Sequence, residues 1–158
     1  MRRQIYLDCD GVLADFDNSA QALLGAPSHL FEKRHGAGEF WRRLAKAEDF
    51  FEHLDLLPDA RELYEAVKGK GPIILTGMPH GKWAEPQKRR WAARHFPGVP
   101  VITTAAALKR EHCHPGDVLV DDRTQHRLLW EQAGGLFIHH KSAKASIEAL
   151  RAAGYLNT

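Results

Sequence analysis

The chain has 158 residues, 44% hydrophobic and 27% charged, which suits one globular domain or a core carrying a small insertion. Its net charge of +2 is too small for a dedicated nucleic-acid-binding domain, and no apolar run approaches the roughly 20 residues that span a bilayer. Only two cysteines, Cys9 and Cys113, are present, so no disulfide framework is implied and a cytoplasmic location is the default expectation.

Met1-Arg2-Arg3-Gln4 leads into the apolar run Ile5-Tyr6-Leu7, which reads as a strand rather than a signal peptide. The strand ends in Asp8-Cys9-Asp10-Gly11-Val12-Leu13. From residue 15 to 57 the pattern is helical with no convincing strand; Phe40, Trp41, Leu44 and Ala45 recur at helical spacing. Residues 58–68 read as a helix entered through Pro58 and Asp59 and left at Gly69. A short buried strand over 72–76 is followed by a loop, Gly77-Met78-Pro79-His80-Gly81. A helix over 83–96 stops at Pro97-Gly98; strands follow at 99–103 and 117–120, the second introduced by Pro115-Gly116. A helix over 124–133 ends at Gly134-Gly135, a last strand covers 136–138, and a last helix over 142–153 takes Ser142 as its N-cap. Apolar strands alternating with helices predict an α/β fold, a doubly wound parallel sheet covered on both faces. Residues 1–14 and 58–158 would form this core, with 15–57 a small helical insertion.

Such sheets bind ligands beyond the carboxyl ends of their strands. Asp8, Thr76 and the pair Asp121-Asp122 all fall at predicted strand ends, although far apart in sequence. A phosphate monoester placed there repels an anionic nucleophile unless a cation intervenes. Mg²⁺, which prefers oxygen ligands, is the expected cofactor, held by Asp8, the backbone carbonyl of Asp10, and Asp121 or Asp122. Asp8 would attack phosphorus; Asp10 would protonate the leaving oxygen and later take a proton from water. The Thr76 hydroxyl and the Gly77 backbone N–H could bind phosphate oxygens. A lysine is needed for the remaining charge: Lys109 is the first choice and Lys88, on the preceding helix, the second.

These residues, in this order, resemble the haloacid dehalogenase superfamily, whose four motifs match Asp8-x-Asp10-Gly11-Val12, Thr76, Lys109 and Asp121-Asp122. Within it the chain is most similar to the 5′(3′)-deoxyribonucleotidases. That likeness rests on residues 8–16, on Phe40-Trp41, on Asp49-Phe50-Phe51 before Leu57-Pro58, and on residues 119–123. The resemblance implies a Rossmann-like core, a helical cap after the first strand, Mg²⁺, and hydrolysis of nucleoside monophosphates. It also implies that Phe16, Phe40 and Trp41 surround the nucleoside. The insertion is shorter than the family's cap, and Gly77 stands where the family typically has serine.

Plainer roles compete for several of these residues. Asp15 and Asp17 read as helix caps, Cys9 as a packing residue on the strand's opposite face, and His112-Cys113-His114 as a surface loop lacking a second zinc-ligand pair. Phe40, Trp41, Phe50 and Phe51 read most simply as the insertion's own core, and the basic run 88–94 as a solvated helix face with Trp91 and Phe96 inward. The partner is then a small phosphorylated substrate, with neither membrane nor stable nucleic-acid partner. Other readings are a related phosphatase for a sugar phosphate or a nucleic-acid 3′-phosphate, a receiver-like signalling domain, and a non-catalytic binding module.

Overall fold

Side chains alternate across a strand, and that alternation organises the molecule. Ile5 and Leu7 face a large core with Ile74, Val118, Val120 and Ile138, while Tyr6 faces a small one with Leu75, Leu119, Trp130 and Phe137. The computed structural model describes residues 3–157. Five strands, β1 (Ile5–Leu7), β2 (Ile73–Gly77), β3 (Val101–Thr104), β4 (Val118–Asp121) and β5 (Leu136–His139), form one sheet in the order β3-β2-β1-β4-β5. All neighbours are parallel, with Leu7 paired to Ile74 on one side and to Val120 on the other. The chain winds outward from β1 through β2 to β3, then returns to β4, so β1 and β4 flank the point where the winding reverses. A ligand crevice belongs there.

Helices α1 (Phe16–Leu24), α2 (Ser28–His35) and α3 (Ala37–Lys46) lie between β1 and α4, in the stretch expected as an insertion; α4 (Ala60–Val67), α5 (Ala84–His95), α6 (Arg127–Gln132) and α7 (Ala143–Ala152) alternate with the remaining strands. The insertion leaves and rejoins the core through paired backbone: Asp15 N–H donates to the Asp55 carbonyl at 2.8 Å, and Leu57 N–H to the Leu13 carbonyl at 2.8 Å. Asp15 caps α1 by accepting from Asn18 N–H, and Ser142 caps α7 by accepting from Ala145 N–H, as their positions predict. Asp59 does not cap its own helix. Its Oδ2 accepts from Ala143 N–H at 2.7 Å and pins the start of α7 to α4.

The large core lies under α4, α5 and α7, with Leu63, Val67, Trp91, Phe96, Ile147 and Leu150 buried in it. Trp91 and Phe96 point inward, as the sequence predicts. The other face is thinner: α6 covers part of it through Trp130, and a 3₁₀ segment over Ala106–His112 covers the rest. The helix predicted over 124–133 is therefore shorter. Residues 124–126 are spent on a turn in which Arg127 N–H reaches the Thr124 carbonyl. Gly135 is required beyond it, since a Cβ there would lie 2.3 Å from Trp130 Nε1 and 2.6 Å from Cys113 Sγ. Among the described residues, no helix is long and apolar enough to cross a membrane.

Candidate active site

The strand alternation also decides which groups meet. Leu7 and Cys9 lie in the large core, so Tyr6 and Asp8 take the other face; Val118 and Val120 lie in the large core, so Asp121 shares the face of Asp8. The Ala106–His112 segment crosses that face, tied down where Tyr6 Oη donates to the His112 carbonyl at 3.2 Å. From it Lys109, 6% exposed, donates to Asp8 Oδ1 at 2.8 Å and to Asp121 Oδ2 at 3.0 Å. Thr76 follows Leu75 on β2 and so faces α5 instead. There Lys88, 4% exposed, donates to Thr76 Oγ1 at 2.9 Å, to the Gly77 carbonyl at 2.9 Å and to Asp10 Oδ2 at 2.8 Å. Two buried lysines thus approach the acids from opposite faces of the sheet.

Counting donors separates the lysines. An ammonium has three protons. Those of Lys88 all have protein acceptors, whereas Lys109 has acceptors for two among the described residues and keeps one for another oxygen. Thr76 Oγ1 accepts from Lys88, and its own proton has no acceptor among the described residues. Of the two lysines the sequence offers for the phosphate charge, the structure sets Lys109 against Asp8 and Lys88 against Asp10; which acid each meets depends on how its segment packs.

Charge at this point is concentrated. Burial opposes ionisation of Asp8, yet the Lys109 cation and its hydrogen bond hold the carboxyl below its ordinary value. Burial also works against the Lys109 charge, but Asp8 and Asp121 together push its pKa up. The other two acids shift the opposite way. Burial and the Asp8 charge raise Asp121 to about 6; burial, Asp8 and Asp121 raise Asp122 to about 8. Ligand atoms of Asp8, Asp121 and Asp122 lie within 4.8 Å of one another, and Asp122 Oδ1 is buried with no hydrogen-bond partner. Three crowded carboxylates with one lysine among them, and an unpartnered buried oxygen, fit a hard cation such as Mg²⁺. Gly11 makes room for Asp122: it has φ +84°, and a Cβ on it would stand 2.0 Å from Asp122 Oδ2.

A cavity of about 770 Å³ opens over these groups, lined by Asp8, Asp10, Lys88, Lys109, Asp121 and Asp122, with Phe16 and Trp41 from the insertion. Phe40 does not line it; 3% exposed, it packs against Phe16 and Trp41 and supports their rings. Gly77 lines it, backed by Ala106, whose Cβ would lie 3.1 Å from a Cβ on Gly77. Asp17 and Arg123 border it as well, and only the position of Arg123 directly after the acidic pair hinted at this from sequence. The run 112–114 contributes to no cluster of metal-ligating side chains among the described residues. Cys9 is buried in the core, and burial pushes its thiol pKa well up, so it is packing rather than nucleophile.

A parallel sheet whose reversal point gathers two acidic strand ends around one lysine defines a phosphatase of the haloacid dehalogenase superfamily. Solved structures agree on the fold. A haloacid dehalogenase family hydrolase from Deinococcus radiodurans, solved with bound phosphate and sodium, has a TM-score of 0.63 at 14% identity, covering 98% of this chain and 97% of its own. A hydrolase from Pseudomonas syringae gives 0.56 at 14% identity, with 96% and 99% covered. One from Streptococcus pneumoniae gives 0.53 at 16%, with 96% and 100% covered. No curated protein matches the chain. The particular family comes from the sequence as a whole: the model described as 5′ nucleotidase, deoxy (pyrimidine), cytosolic type C protein matches residues 2–157, and the chain belongs to that family.

Proposed function

We propose that this phosphatase is a Mg²⁺-dependent 5′-nucleotidase acting on (deoxy)nucleoside monophosphates through an aspartyl-phosphate on Asp8. The observation that carries the reading is the bond from Lys109 to both Asp8 and Asp121, which keeps Asp8 ionised and leaves one ammonium proton free. Asp8, the Asp10 carbonyl, Asp121 and Asp122 would hold the metal, whose bound charge would offset that of the phosphate. Asp8 attacks phosphorus; the bond to the leaving oxygen breaks, and that oxygen keeps the electron pair and takes a proton from Asp10. Asp10 Oδ1, buried with no protein partner while Oδ2 is held by Lys88, is the oxygen available for this transfer. Water then attacks the acyl phosphate, giving its proton to Asp10 and releasing phosphate. Lys109, Thr76 and the Gly77 N–H bind phosphoryl oxygens, and their donors count most as charge builds on them in the transition state. Phe16 and Trp41 offer ring surface to a nucleoside, while the short insertion covers it as a cap.

A panel of phosphomonoesters with Mg²⁺, scored by released phosphate, tests the substrate. Nucleoside monophosphates should lead sugar phosphates and 3′-phosphorylated oligonucleotides in kcat/KM. A clear lead for either of the others removes the nucleotidase assignment and leaves the phosphatase.

The raised acids predict how metal and pH are linked. A carboxyl whose folded pKa exceeds its ordinary 3.8 binds its proton more tightly in the folded state. Below that value it has no effect on stability; as pH rises toward about 6 for Asp121 and about 8 for Asp122, the metal-free protein loses stability. Asp8 runs the other way, stabilising above its ordinary value and failing as pH falls. Mg²⁺ competes with the Asp121 and Asp122 protons, so its binding should release protons and tighten as pH rises from 6 to 8. Calorimetry in buffers of different ionisation enthalpy measures that release; a Mg²⁺ affinity independent of pH over this window refutes it.

A further inference from the structure

Phe51 sits in the loop that returns from α3 to the core, 1% exposed, and its ring does not line the cavity. The ring instead faces Lys88, whose Nζ lies 4.6 Å from its centroid. The loop cannot drift from α5, because α5 staples it in several places. Phe51 N–H donates to Gln87 Oε1 at 2.9 Å, Trp91 Nε1 to the Leu54 carbonyl at 2.7 Å, and an Arg94 terminal N–H to the Glu52 carbonyl at 3.2 Å. Arg90 also pairs with Glu52. Gln87, Lys88 and Trp91 are all buried polar-bearing side chains on the same helix.

The Lys88 ammonium is therefore held by protein groups although its side chain borders the cavity. Its protons go to Asp10, Thr76 and the Gly77 carbonyl, and an aromatic face, whose quadrupole attracts cations, lies against it. We propose that Phe51 is a positioning residue for proton transfer: its ring fixes Lys88, and Lys88 fixes Asp10 so that Oδ1 meets the leaving oxygen. An aliphatic side chain in its place fills the space but supplies no negative face, so the buried ammonium shifts and Asp10 turns with it. Phe51 also stacks on Phe16, with ring centroids 6.0 Å apart, so the effect on Asp10 is read on substrates that carry no base.

The inference rests on the phosphatase reading, and the leaving group separates the two. An alkoxide needs the Asp10 proton to depart; the phenolate of 4-nitrophenyl phosphate departs without it. Because kcat/KM reports steps up to the first irreversible one, it isolates that departure. Phe51→Met and Phe51→Leu should lower kcat/KM about tenfold for the best alkyl phosphate of the panel that carries no base and less than about twofold for the aryl ester. Gln87→Leu, which frees the Phe51 backbone, should give the same split and serves where the Phe51 variants do not fold. Phe31→Leu, a change at another buried phenylalanine, in α2, whose ring does not meet the Lys88 ammonium, should affect both substrates alike. Equal losses on the two esters, no loss, or the same split in Phe31→Leu overturns the proposal. A wild-type enzyme that cleaves neither ester removes the phosphatase reading instead.

Discussion

Phosphate release by Asp8→Asn is expected to fall roughly 10⁴-fold or more, with the melting temperature within a few degrees of wild type. The two halves of this expectation have different causes. Loss of turnover follows from the proposed role of Asp8: the substitution replaces an attacking carboxylate oxygen with a poorly nucleophilic amide. Retained stability follows from the crowding at the site. Asparagine keeps an oxygen for Lys109 in place of the 2.8 Å bond from Asp8, and Lys109 keeps Asp121 as its anionic partner. Meanwhile Asp121 and Asp122 each lose the Asp8 charge that raises their pKa. A weakened ion pair is thus offset by relieved repulsion. Initial rates beside a thermal melt decide the matter: a folded variant that still turns over near the wild-type rate places the nucleophile elsewhere.

Lys109→Met should be the more damaging change to the fold. Its side chain is 8% exposed and pairs with two carboxylates that are themselves buried. Removing one partner of a buried pair typically costs about 3–5 kcal/mol, because the remaining charge stays desolvated. Here Asp8 and Asp121 lose the cation bonded to both, with Asp122 crowded beside them. They can escape by taking up protons, so the loss should be smaller at pH 5 than at pH 8. The sign follows from Asp8: Lys109 holds its pKa down, and without the lysine burial pushes it up, so the folded variant favours the protonated state. Added Mg²⁺ should restore part of the stability at pH 8, while turnover stays reduced by about 10²–10³-fold, as for loss of an oriented charge donor. Urea unfolding at the two pH values, with and without Mg²⁺, measures each part. A small loss that is equal at both would show that Lys109 does not neutralise this cluster.

Much of the site is legible in the chain because its acids mark strand ends. Ile5-Tyr6-Leu7 before Asp8 and Val118-Leu119-Val120 before Asp121 are short apolar runs, and a run that stops at a carboxylate places that carboxylate at the sheet's rim. Period-two alternation then puts Cys9 on the opposite face from Asp8, where the structure has it. The 3₁₀ form of Ala106–His112 was not legible, since Ala106-Ala107-Leu108 carries no distinctive periodicity and the segment is shaped by the strands it crosses. The sequence pairs Phe40 with Trp41, yet adjacent helical residues point about 100° apart. Trp41 consequently reaches the cavity while Phe40 packs beneath it. Gln87 offered no signal, because a lone glutamine on a basic helix gives no hint that it will be buried against a backbone N–H.

What the sequence determined by itself is local: apolar runs that make strands, caps at Asp15 and Ser142, glycine at position 11, and acids at strand ends. These depend on residues within a few positions of one another. The strand order β3-β2-β1-β4-β5, which sets Asp8 beside Asp121, was decided only by tertiary packing. So was the division between the two lysines. Lys88 and Lys109 are equally basic in the sequence, but one approaches over the large core and the other over the small one. The face of the sheet each segment crosses fixes which carboxylate it meets, and no local pattern encodes that choice.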